Sequence, residues 1–200
     1  MATRRSDRLM GALSPRFMVG IGGSAGALNA YTALLDALPS QTGMAFVFVA
    51  HMLPTAHSQL AEILSRHTIM PVVVASTSMT IWANHVYVIP PNADLLIERT
   101  FTVVSPRTRG NTQVDILFLS LAEALGVRAI GIILSGYGSD GTEGCKYIKA
   151  KGGTTFAQDM SAEVGGMPLS AQASGCIDFV LPPDKIAEEL AKIGACVAQD

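Results

Sequence analysis

A chain of 200 residues, 49% apolar and 15% charged, can bury one substantial core and is short for two domains. Its 14 basic and 16 acidic residues give a formal charge of −2, so it offers no polybasic surface to nucleic acid or to an anionic membrane. Mean hydropathy is high at +0.37, yet apolar runs such as Met44 to Ala50 fall far short of the ~20 residues of a spanning helix.

Residues 1–15 carry Arg4, Arg5 and Arg8 and end in Ser14-Pro15, which interrupts any apolar leader-like region. They are expected to form a poorly ordered arm or linker remnant, followed by one domain over 16–200 in a cytoplasmic protein without membrane insertion. From Arg16 onward, short apolar runs alternate with amphipathic stretches. That pattern predicts an α/β domain of three layers: a doubly wound, mostly parallel sheet with helices on both faces.

The predicted elements begin with a strand over 17–21, a glycine-rich turn, and a helix from about Ala25 to Leu38 that Pro39 stops. A strand over 44–50, a helix over 55–66 capped by Thr55 and a strand over 71–75 come next. His85 to Ile89, Asp94 to Glu98 and Phe101 to Val104 are separated by turn residues and read together as a small antiparallel hairpin insertion. A helix over 114–125, a strand over 129–134, a second glycine-rich loop over 135–141 and a helix over 142–151 resume the βα alternation. Strands near 154–157 and 177–181 and a last helix after Pro183 complete it.

Gly22, Gly23, Ser24, Ala25 and Gly26 satisfy the pattern Gly-x-Ser-x-Gly between a predicted strand and a predicted helix. A serine in such a turn stands clear of the sheet, and N–H groups at the helix start can stabilise an oxyanion. The plainer reading is a phosphate-binding loop, because Gly20, Gly22 and Gly26 also approximate a dinucleotide-type glycine loop. Such a loop needs a carboxylate at the end of the second strand, where this chain has Val49, Ala50 and His51. A Walker-type loop needs a lysine that is absent from positions 27–30.

His51 follows the second strand on the rim that carries Ser24, and neighbouring strands lie only ~4.8 Å apart. It is therefore a candidate base, whereas His57, His67 and His85 fit structural roles and lack metal-ligand spacing. Asp140 follows an apolar strand and precedes a helix, where an Asp is also the ordinary N-cap. Ser24, His51 and Asp140 each follow a different buried strand, the rim where open α/β sheets place their sites. In that arrangement the carboxylate would accept the imidazole N–H and stabilise the imidazolium formed as Ser24 attacks an ester. The order Ser, His, Asp differs from that of the α/β-hydrolases, in which the acid precedes the histidine. Cys145, Cys176 and Cys196 are odd in number and widely spaced, so neither a disulfide framework nor a zinc site is expected.

Val19 to Leu28, His51-Met52 with Pro54, and Ser135 to Gly141 together resemble the catalytic domain of CheB, the protein-glutamate methylesterase of bacterial chemotaxis. Val86 to Pro91, Val114-Asp115, Gly152-Gly153, Gln158-Asp159, Gly166-Met167-Pro168 and Val180 to Pro183 extend the resemblance from Phe17 to the last helix. It implies hydrolysis of γ-glutamyl methyl esters on the methylated cytoplasmic domains of chemoreceptors, with deamidation of glutamines there, and it implies no cofactor. The family's triad falls on Ser24, His51 and Asp140, and its oxyanion N–H groups on Ala25 and Tyr137.

Three features depart from the family. Ala27 replaces a common glycine, Tyr137 stands where many members have Met, and no receiver domain has a counterpart in the sequence. The chain is accordingly expected to be trimmed from a longer protein, or to be a stand-alone or fusion-derived domain. The stretch Arg66-His67-Thr68 to Met70-Pro71, with Ser135, resembles domains fused to a receptor methyltransferase. The alternative is a receptor- or partner-binding domain that has lost activity, with Tyr137 filling the site.

Overall fold

The computed structural model of the chain describes residues 14–50, 59–108 and 110–196. Most of the expected arm and the candidate base His51 lie outside the described residues. Nine strands and six α-helices are present among those described. Strand β1 (Phe17–Gly23) is followed by helix α1 (Ala27–Ala37), β2 (Met44–Ala50), α2 (Leu60–Leu64), β3 (Val72–Val74) and β4 (His85–Val88). Next come β5 (Asp94–Ile97), β6 (Phe101–Val104), α3 (Gln113–Leu125), β7 (Ala129–Ile133) and α4 (Thr142–Ala150). The chain closes with β8 (Thr154–Gln158), α5 (Gly166–Ala173), β9 (Phe179–Leu181) and α6 (Pro183–Cys196).

Seven strands form a parallel sheet in the order β3-β4-β2-β1-β7-β8-β9, and β5 and β6 form a separate antiparallel pair. Strand residues alternate between two cores, as a pleated strand buried on both faces requires. Met18, Val47 and Tyr87 pack under α3, α4, α5 and the hairpin, whereas Val19, Phe46 and Val86 pack under α1, α2 and α6. This is the three-layer architecture expected from the sequence.

Two elements differ from the sequence expectation. The His85 segment does not belong to the hairpin: β4 pairs in parallel with both β2 and β3. Val86, Tyr87 and Val88 are almost wholly buried, and only a strand inside the main sheet has two covered faces in which to place them. Helix α5 was not expected, because Gly166-Met167-Pro168 carries a residue that usually breaks helices. Pro168 sits in the first turn, where its missing N–H costs no helical bond.

Among the described residues, no helix is long and apolar enough to cross a membrane.

Candidate functional site

β1 is the central strand of the sheet, with β2 on one side and β7 on the other. The chain builds outward on the β2 side and then returns to the β7 side, so the C-terminal end of β1 borders a topological switch point. Ser24 is the first residue beyond that end, half-buried, in a turn that α1 closes.

The elbow is tighter than the sequence suggested. The strand runs on through Gly22 and Gly23, and α1 begins at Ala27, so Ala25 lies in the turn and not in the helix. Gly26 occupies the left-handed region at φ 72°, the conformation that reverses the chain and favours glycine. Ala27, the departure from the family's glycine, is an ordinary buried helical residue whose N–H donates to the Ser24 carbonyl at 3.1 Å.

The loop after β7 grips this turn. The N–H of Ser24 donates to the Ser135 carbonyl at 2.9 Å, and the Ser135 hydroxyl donates to the Ala25 carbonyl at 2.8 Å. Ser135 is fully buried; its own N–H donates to Oε1 of Gln158 at 3.0 Å, and its Oγ accepts the Val164 N–H at 2.9 Å. Gly136 faces the serine. A β-carbon at 136 would lie 2.3 Å from Sδ of Met167 and 3.0 Å from Cβ of Ser24, too close for either neighbour. Among the described residues, no acceptor pairs with the N–H of Ala25 or of Tyr137. The Tyr137 side chain is 72% exposed, so its ring does not fill the site.

Asp140 is buried, at 6% exposure, and does not cap the helix that follows it. Its carboxylate instead reaches the start of α3, where Oδ2 accepts the Val114 N–H and Oδ1 the Asp115 N–H, both at 3.0 Å. These are two of the four amides that a helix leaves without internal partners, and the positive end of the helix dipole favours an anion there. A carboxylate has about four acceptor positions, and these amides take two of them.

Asp115 extends the clamp by accepting the Gly144 N–H of α4 at 2.7 Å. Its own pKa is raised, first by burial and further by the neighbouring Asp140 charge, while the Gly144 bond works in the opposite direction.

On the other flank, Ala50 lies in register with Gly23, so β2 and β1 end at the same height. Tyr31 of α1 donates to the Val49 carbonyl at 2.9 Å and holds the end of β2 against the elbow. Burial pushes its phenol far above the ordinary range, so it remains a neutral donor.

The structure therefore brings the Ser24 turn and the Asp140 loop together on one rim; His51 is outside the described residues. Sequence reasoning gave Ser135, Gln158 and Asp115 no role. All three act through hydrogen bonds between distant segments, and the family-like stretches containing them were the only signal in the sequence.

The protein-family model described as CheB methylesterase matches residues 19–190. A relative named "Putative protein-glutamate methylesterase/protein-glutamine glutaminase" from Leptospira interrogans serogroup Icterohaemorrhagiae serovar copenhageni is 36% identical over 173 residues, which cover 84% of this chain and 90% of that protein. An "Uncharacterized 104.1 kDa protein" from Rhodobacter capsulatus is 39% identical over 135 residues, 66% of this chain but 14% of that large protein. Against several other protein-glutamate methylesterases the chain spans about half of their length. Among solved structures, the Thermotoga maritima CheB methylesterase catalytic domain superposes with a TM-score of 0.84 at 30% identity, covering 88% of this chain and 98% of that one.

Proposed function

Since the chain belongs to the CheB methylesterase family, we propose that it removes methyl esters from glutamate side chains of chemoreceptors, with Ser24 as nucleophile, His51 as base and Asp140 orienting the base. The same site would deamidate receptor glutamines, releasing ammonia in place of methanol. The observation that carries this reading is convergence: β2, β1 and β7 are adjacent, and each is followed by one of the three residues.

In the first step the Ser24 Oγ–H proton passes to the imidazole of His51 while Oγ attacks the ester carbonyl. The tetrahedral oxyanion is taken by the N–H groups of Ala25 and Tyr137, whose availability supports that role. Collapse expels methanol with the proton that His51 held. Water, deprotonated by His51, then attacks the acyl-serine and leaves a glutamate carboxylate and the free serine.

Asp140 holds the imidazole in the correct tautomer and is itself held by the α3 amides. The exposure of Tyr137 argues against a decayed, binding-only site. The substrates are the methylated cytoplasmic domains of chemoreceptors, which also places the work in the cytoplasm. A receptor methyltransferase domain joined in a fusion is the partner that the family-like segments suggest.

The test is methanol release from methylated receptor cytoplasmic fragments by wild type and by Ser24→Ala, both checked for fold by circular dichroism. Release by wild type that disappears in the variant is expected. Absence of release by folded wild type would overturn the methylesterase reading, and release persisting in Ser24→Ala would overturn the nucleophile.

A further inference from the structure

Gln158 is the last residue of β8 and is buried, at 3% exposure, beside the loop that follows β7. The parallel ladder between these strands ends at the pair Ile133 and Ala157, so it offers the amide of Ser135 no carbonyl on the β8 side. Ser135 is fully buried, and a buried N–H needs an acceptor. Oε1 of Gln158 supplies it at 3.0 Å, while Nε2 donates to Oγ of Ser161 at 3.2 Å. A carboxamide accepts and donates from one rigid plane, so these two bonds together fix its orientation.

A glutamine that only satisfied a stray amide would be ordinary core chemistry, but Ser135 stands between the two N–H groups proposed to take the oxyanion. On one side its carbonyl accepts the Ser24 N–H at 2.9 Å and its hydroxyl donates to the Ala25 carbonyl at 2.8 Å. It thus holds the peptides immediately before and after the one that carries the Ala25 N–H. On the other side, the next amide, Gly136 N–H, donates to the Val164 carbonyl at 2.9 Å, and the Gly136 carbonyl accepts the Met167 N–H at 2.8 Å. That carbonyl shares a rigid peptide plane with the N–H of Tyr137, so anchoring one end aims the other.

We propose that Gln158 is a positioning residue for the oxyanion donors: by fixing the amide of Ser135 it sets the direction in which the N–H groups of Ala25 and Tyr137 point. It does not touch the substrate and acts through Ser135. Donors of this kind are effective because they already face the place where charge develops and need not turn during the reaction. Without the carboxamide, the Ser135 N–H becomes a buried donor lacking an acceptor. The loop relieves that by turning Ser135 toward another oxygen, and both of its grips on the Ser24 turn move with it.

The effect falls on the transition state. An ester carbonyl carries little charge until Oγ attacks it, so misdirected donors weaken binding of the oxyanion and leave binding of the ester almost unchanged. Removing one donor outright costs ~10²- to 10³-fold in kcat, so tilting donors that remain present should cost about tenfold to 10²-fold.

The kinetic arm of the test rests on the esterase reading; the amide-exchange arm does not. Methanol release from methylated receptor fragments is measured for wild type, Gln158→Leu and Gln158→Glu, together with binding of a short alkyl boronic acid, whose tetrahedral adduct on Ser24 carries the anionic oxygen. In Gln158→Leu we expect kcat to fall about tenfold to 10²-fold with KM unchanged, and boronate affinity to fall in step. Gln158→Glu, which keeps an oxygen where Ser135 needs an acceptor, should restore most of both. Hydrogen exchange at the Ser135 amide should quicken in Gln158→Leu while the β1 amides keep their protection. Two controls separate positioning from general loosening. Ser161→Ala removes the partner of Nε2, and Thr155→Val removes a buried hydroxyl from the same strand that bonds the Cys176 carbonyl; both should keep the wild-type kcat. Wild-type kcat in Gln158→Leu, a loss confined to KM, no rescue by Gln158→Glu, or an equal loss in either control overturns the proposal. Folded wild type that never releases methanol would instead overturn the esterase reading, and unchanged exchange at Ser135 in Gln158→Leu would then refute the hold of Gln158 on the loop independently.

Discussion

On the β1 side of the site, Ser24 is held by packing and backbone: a left-handed Gly26, a Gly136 with no room for a side chain, and a fully buried Ser135 that takes the Ala25 carbonyl. On the β7 side, Asp140 is held by charge: two amides at the start of α3 bind its carboxylate, and a second carboxylate, Asp115, ties that helix to α4. Ser24 is placed by shape, which tolerates no added atom. Asp140 is placed by electrostatics, which tolerates a change of shape better than a loss of charge.

This contrast can be broken by substitutions of graded effect. Ser24→Ala should lower ester turnover by about 10⁴- to 10⁶-fold without altering the circular dichroism spectrum, because the proposed nucleophile is gone. Asp140→Asn preserves shape but removes the charge and the tautomer control, so a loss of ~10³- to 10⁴-fold in kcat is expected in a folded protein. If Asp140→Asn kept near wild-type turnover, the carboxylate would be a helix anchor and nothing more.

Gly136→Ala leaves every reacting group in place but pushes Ser24 or Met167 aside. The expected cost is ~10²-fold in turnover, with the histidine- and acid-dependent pH profile unchanged. Ser135→Ala removes the hydroxyl that pairs the Ala25 carbonyl and the Val164 N–H, so stability measured by urea unfolding should fall by about 1–3 kcal/mol.

The smallest effect belongs to Asp115, whose folded pKa is raised above the ordinary carboxylate value of 3.8. A folded state that binds this proton more tightly gains stability as pH falls through the raised value toward 3.8, and that gain is lost as pH rises back through it. Asp115→Asn should therefore show less increase in relative stability than wild type between about pH 7 and about pH 4.5. An identical pH dependence in the two proteins would remove Asp115 from the electrostatic limb.

The backbone rim of the site was legible in the sequence because its signals are local. A buried strand, a glycine-rich turn and a helix start occur within ten residues at Ser24 and again at Asp140. The contacts that hold those two turns in place were not legible. The Ser135 hydroxyl bonds a carbonyl 110 residues away, and Asp140 bonds amides 26 and 25 residues away, distances over which no periodicity carries information. The reassignment of β4 has the same origin: Pro90-Pro91 correctly marks a turn, but the partners of the strand before it are set by burial of Val86 to Val88 between two helical layers. Helix α5 escaped notice because its Met167, Ala171 and small residues make a weak apolar stripe and Pro168 suggests a break.

The most direct measurement is the position of the adduct left by a serine-directed fluorophosphonate. After labelling of the wild-type protein and peptide mapping, we expect one adduct, on Ser24, strongly slowed in His51→Gln and Asp140→Asn and unaffected in Tyr137→Ala. No adduct on folded protein, or an adduct on another serine while Ser24 stays unmodified, would contradict Ser24 as an activated nucleophile.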